Sequence, residues 1–158
     1  MRFFLITAIM CGFLAAAHAQ GLKLDVGLKN SRPRATDRTR TMYLHINVEN
    51  LGQQKHKDLT LRWAVVLDTT RPPSPLARNE GYKTISLLPG DVTDVNTNAI
   101  SISNRGGKPS FKGYIITILA GDKVLLHRIE PSGLKSEMER RHKQATEAAA
   151  AAAKKKKK

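Results

Sequence analysis

Apolar and polar residues alternate along most of the chain. In LKLDVGLK, Leu22, Leu24, Val26 and Leu28 fall on one face and Lys23, Asp25 and Lys29 on the other. MYLHINVE repeats the pattern, with Met42, Leu44, Ile46 and Val48 set against Tyr43, His45, Asn47 and Glu49. LTLRWAVVLD does so again with Leu59, Leu61, Trp63, Val65 and Leu67. A period of two is that of a strand with one buried face, whereas a helix would scatter these residues around its circumference. Four further segments predict strands. GYKTISLL runs into Pro89-Gly90, a pairing that a type II turn favours. VTDVNTNAISIS changes phase partway, which predicts a bulge or a break. GYIITILA and KVLLHRIE flank Gly121-Asp122, a two-residue hairpin turn. Seven strands with no helical pattern between them predict an all-β fold of two antiparallel sheets packed face to face.

From Ser132 the alternation stops. SGLKSEMERRHKQATEAAAAAA is full of strong helix formers. Ser136 and Glu139 have capping-box spacing, and Glu137–Arg141 and Glu139–Lys143 are spaced for i,i+4 ion pairs. Leu134, Met138 and Ala145 supply a thin apolar stripe, so the helix is expected to dock by its first turns and then project. Lys154, Lys155, Lys156, Lys157 and Lys158 close the chain, a run of like charges that predicts a disordered tail.

The first residues have another character. In MRFFLITAIMCGFLAAAHAQ, Arg2 precedes an apolar run from Phe3 to Ala17, followed by the small-x-small triplet Ala17-His18-Ala19. This predicts a secretory signal peptide over 1–19, cut before Gln20; the run is short for a membrane span. Cys11, the only cysteine, would leave with it. The exported chain would then have no disulfide and no cysteine nucleophile, and packing alone would hold the domain. The expected organisation is a signal peptide over 1–19, a sandwich domain over 20–131, and a basic helix with its lysine tail over 132–158. No later segment is apolar enough to span a membrane, and the expected location is periplasmic or extracellular.

Seven short strands with Trp63 in the middle of the third resemble an immunoglobulin or fibronectin type III sandwich. The antibody-type cysteine pair is absent, which favours the fibronectin-like or bacterial Ig-like side. More narrowly, VENLGQQKHKDLTLRWAVV, ISLLPGD and FKGYIITILAGDKVLLHRIEPSGL resemble uncharacterised secreted single-domain proteins of Gram-negative bacteria. The likeness covers most of the body and not the Ala/Lys end. It implies a fold and a compartment and no activity, since such sandwiches host many functions.

Charge then enters. The 158 residues hold 27 Lys+Arg and 13 Asp+Glu, a formal net charge of +14. Antiparallel strands send alternate connections to opposite ends of a sandwich. On a seven-strand count, the first connection (Arg32, Arg34, Arg38 and Arg40), the third (Arg71 and Arg78) and the fifth (Arg105, Lys108 and Lys112) share one end. The lysine tail leaves from that end too. The opposite end is nearly neutral, with Asp58, Asp91 and Asp122 against Lys55 and Lys57. A clustered basic end attracts polyanions. The residues expected to make that contact are Arg32, Arg34, Arg38, Arg40, Arg71, Arg105, Lys108 and Lys154 to Lys158. An exported chain meets an anionic envelope polymer or lipid surface before it meets nucleic acid. No aromatic residues interleave with these arginines, so a base-stacking platform is missing.

Catalytic patterns are not found. No two of His45, His56, His127 and His142 have metal-ligand spacing. NRGGK lacks the first glycine and the closing Ser/Thr of a phosphate-binding loop, and no serine sits in an elbow motif. Neither a cofactor nor a metal is implied. The expectation is a non-enzymatic exported domain that binds an anionic partner or serves envelope structure. Two alternatives stand beside it: a protein–protein module using an exposed edge strand such as LKLDVGLK, and a carbohydrate-binding accessory domain.

Overall fold

The computed structural model describes residues 21–30, 39–69, 74–103 and 109–155. They form two antiparallel sheets and one helix. β1 (Leu22–Asn30) pairs with β2 (Thr39–Asn50), and β2 pairs on its other side with β5 (Val92–Asn96) and β6 (Ile100–Ser103). The second sheet has the order β4-β3-β7-β8, from β4 (Ala77–Leu87), β3 (His56–Asp68), β7 (Ser110–Ala120) and β8 (Lys123–Glu130). The helix α1 (Leu134–Lys155) follows β8.

Eight strands are found among the described residues where the sequence pattern predicts seven. The phase change in VTDVNTNAISIS is the cause. Opposite β2, the register runs from Asn96↔His45 to Ile100↔Met42, four steps on one side against three on the other. One extra residue is therefore inserted, and the strand breaks into β5 and β6. Buried Thr97 pins the break: its N–H donates to Leu44 O (3.0 Å), and its Oγ1 accepts from Leu44 N–H (2.9 Å). β5 and β6 run in the same direction along β2, so the break moves no connection to the other end.

The inner faces of both sheets form one core. Met42, Leu44, Ile46 and Val48 of β2 meet Leu59, Leu61 and Val65 of β3 and Ile116 and Ile118 of β7, all essentially inaccessible to solvent. Each such side chain contributes roughly 1.5–3 kcal/mol on burial. Trp63 belongs to this core, as its place between Leu61 and Val65 predicts. Its ring lies over Gly81 on β4, where a Cβ would fall 2.5 Å from Trp63 Cζ2. At the neutral end, Asn50 ties two turns together. Its Nδ2 donates to Gln54 O at 2.8 Å, and its backbone N–H donates to Asp91 O at 2.9 Å. The Leu88–Asp91 turn closes with Gly90 at φ 81°, as the Pro89-Gly90 pair requires.

α1 lies against the outer face of the second sheet. Leu134 and Arg141 are buried, and Met138, Ala145 and Ala148 are half-buried, a stripe at heptad spacing. β7 makes room for the helix start at Gly113, where a Cβ would collide with Glu130 O and come within 2.9 Å of Leu134. Two sequence expectations are corrected here. The helix begins at Leu134, so Ser136 sits inside the first turn and not at its cap; the early bonds are Leu134 N–H to Pro131 O and Glu137 N–H to Gly133 O. Glu137 pairs with Arg140 (3.5 Å) and not with Arg141, because Arg141 turns inward to Asp68.

Candidate functional site

The register fixes which ends meet. Asn30 and Thr39, Asp68 and Ala77, Ser103 and Ser110, and the end of β8 all lie at one end of the sandwich. The three arginine-bearing connections join these ends, and the helix starts beside them. Arg32, Arg34, Arg38, Arg71, Arg105, Lys108 and Lys156 to Lys158 themselves lie outside the described residues. Lys154 and Lys155 end α1.

Three basic residues assigned to connections by sequence belong to strands. β2 begins at Thr39, β4 at Ala77 and β7 at Ser110, earlier than the alternation predicts. Arg40 is consequently half-buried opposite Ile102, and its Nε is buried with no hydrogen-bond partner among the described residues. Lys112 sits 3.8 Å from Asp68. Arg78 stands on the outer face of β4 and pairs with Glu80 at 3.6 Å.

The outer face of the second sheet holds a contact that period-two alternation does not show. Arg141 Nη2 donates to Asp68 Oδ1 at 2.8 Å, with both side chains less than a tenth exposed. This clasp fixes α1 over Val66 and Gly113. Beside the clasp runs a groove of ≈ 640 Å³ between the helix and the sheet. Ile115, His127 and Ile129 line it from the sheet, and Lys135, Met138, Glu139 and His142 from the helix. His127 is fixed by a 2.9 Å hydrogen bond between its Nδ1 and Thr117 Oγ1. A shallower hollow of ≈ 630 Å³ continues across β3 and β4, lined by Arg62, Glu80, exposed Tyr82 and Thr84. The two share Arg78 and Ile115. Among the described residues no three His, Cys, Asp or Glu side chains converge as a metal site, and no helix is long and apolar enough to cross a membrane.

A signal for this face is present in the sequence. WAVVL in β3 is apolar on both faces, which marks a strand covered on both sides. On the outward face Val66 is fully covered, while Ala64 and Ile115 line the hollows beside the helix.

No protein-family model and no curated protein matches the chain. Solved structures give distant likenesses. A Bacteroides fragilis protein provisionally assigned as a β-galactosidase matches at TM-score 0.44 and 11% identity, over 66% of this chain and 15% of that one. A structural-genomics target, SoR45, matches at TM-score 0.40 and 14% identity, over 70% and 83%. The E. coli curli protein CsgC matches at TM-score 0.40 and 12% identity, over 69% and 99%. The chain thus spans about one seventh of the first of these structures and most of the other two. At such scores these likenesses carry no argument about function.

Proposed function

We propose that the protein is an exported, non-enzymatic sandwich module of immunoglobulin or fibronectin type III type. Its basic end and lysine tail bind an anionic envelope polymer or lipid surface. Strand order supports the fold assignment: β4-β3-β7-β8 corresponds to C′-C-F-G of such a sandwich, and β1-β2-β5/β6 to A-B-E with the last strand broken. One observation carries the binding reading. The pairing register gathers the termini of all three arginine-bearing connections at the end where α1 begins. Charges on connections that leave from one end act on a polyanion together wherever they come within a Debye length of one another.

The test is retention of the exported chain on an immobilised polyanion as salt is raised. Two variants separate the contributions. One replaces Lys154 to Lys158 with Gln; the other replaces Arg32, Arg34, Arg38, Arg71, Arg105 and Lys108 with Gln. Both are expected to elute at lower salt than the parent. The salt slope should flatten by somewhat under one unit for each bound cation removed. Retention that depends on the lysines alone would show that the sandwich end is no site. Failure of the parent to bind near physiological salt would end the proposal.

A further inference from the structure

The groove beside α1 differs in chemistry from the basic end. Its floor is apolar, formed by Leu76, Ile115, Ile129 and Met138. Its rim carries Arg78, Lys135 and the rings of His127 and His142, with Glu139 as the one carboxylate among the described lining residues. On the helix, Lys135, Met138, Glu139 and His142 are spaced i, i+3, i+4, i+7, so a single stripe faces the groove. That stripe runs alongside Leu134 and Arg141, which are closed down onto the sheet, with half-buried Met138 on the border between the two. Here the seam is sealed and the neighbouring stripe stands open over apolar side chains.

A volume of ≈ 640 Å³ suits a small ligand. An apolar floor excludes a purely polar ion, and a cationic rim disfavours a neutral hydrocarbon. The two together fit one molecule with both parts. We infer that the groove binds a single-chain lipid with an anionic headgroup, its headgroup at Arg78 and its chain along Ile115, Met138 and Ile129. Arg78 has little to lose by the exchange. Its 3.6 Å pair with Glu80 is half exposed and weak, whereas a guanidinium on a phosphate makes charge-assisted hydrogen bonds. This site uses none of the arginine connections or terminal lysines, so it stands or falls apart from polyanion binding.

Calorimetric titration of the exported chain tests it, with Lys154 to Lys158 replaced by Gln so that tail charge contributes nothing. The probes are octyl, decyl and dodecyl phosphate below their micelle concentrations, with decanol and inorganic phosphate as separate arms. Affinity is expected to rise about three- to fourfold per added methylene, the factor that burying one CH₂ supplies. Decanol should bind at least tenfold more weakly than decyl phosphate, and inorganic phosphate should not saturate. Met138→Gln should weaken every chain length, and Arg78→Gln should erase the preference for phosphate over alcohol. Both positions are at least partly exposed, and an unchanged helical circular dichroism signal verifies the fold. A flat chain-length series, equal binding of inorganic phosphate and decyl phosphate, or unchanged titrations in both folded variants would overturn the assignment.

Discussion

Asp68 is the residue on which the helix and the sandwich depend together. It ends β3, faces outward, and is covered by Arg141 at 2.8 Å with Lys112 at 3.8 Å. A buried carboxylate–guanidinium pair is weak evidence for net stability, because desolvation of both ions offsets their attraction. Removing one partner is another matter, since it leaves the other charge buried without compensation. Asp68→Leu takes the nearest anion from a guanidinium that is 4% exposed, and is expected to cost about 3–5 kcal/mol. Arg141→Met is expected to cost less, because Asp68 keeps Lys112. The double variant Asp68→Leu/Arg141→Met should recover most of the stability. Chemical denaturation of the four proteins measures the coupling directly. A double variant as unstable as the sum of the singles would mean that the clasp is not a pair. Nothing in the sequence marks this contact. Asp68 and Arg141 lie 73 positions apart, and Arg141 also stands at ideal spacing from Glu137, so local logic assigns it to the wrong partner.

At the scale of elements, α1 is two things in succession. Its first half is packed on the outer face of the second sheet, outside the core: Leu134 and Arg141 are buried, and Val66 on the sheet beneath is fully covered. Beyond half-buried Ala148 it is a row of exposed alanines, Ala149 to Ala153. Truncation after Ala148 is therefore expected to change stability by no more than about 0.5 kcal/mol. Truncation after Pro131 uncovers Val66 and Gly113 and strips Asp68 of Arg141. It should cost several kcal/mol, on the scale of a deleted buried leucine plus a broken buried pair. Thermal unfolding of the two truncations against the parent decides this; equal melting would show that the helix only rests on the sheet. Period-two alternation reveals the strands because each has a buried inner face. The helix itself is legible from composition. Its docking is legible only as a violation of alternation, where Ala64, Val66 and Ile115 are apolar on the face that should be polar. The bulge at Thr97 is legible as a phase slip, but a slip does not say whether one strand bends or two form.

For the whole molecule, the two ends differ, and so do the sheet edges. Gathering the basic connections at one end needs only the parity of the strands, which the bulge leaves intact. The edges depend on the hydrogen-bonding register, which alternation does not encode. At the start of β1, Gly21 O accepts from Leu51 N–H at 2.6 Å, so the odd positions of β1 bond to β2. The even positions, Leu22, Leu24, Val26 and Leu28, thus direct their N–H and C=O away from the sheet. Arg128 of β8 reaches across and donates to Leu24 O at 3.3 Å, covering the first half of that edge. Lys23 holds its charge on the adjoining face between Asp25 (3.0 Å) and Glu49 (3.3 Å); its hydrogen bonds to these two carboxylates raise its pKa above the usual lysine value. The second half, around exposed Leu28, has only Lys29 as a guard among the described residues. Arg128→Met with Lys29→Val should therefore open β1 to a second strand and produce concentration-dependent association in sedimentation velocity. Adding Val26→Pro should abolish that association while leaving the fold intact, because the N–H it removes points outward and serves no bond to β2. Association that survives the proline would place the contact elsewhere than on β1. A parent that already self-associates, and ceases to do so with proline alone, would make β1 a working docking edge and not a guarded one.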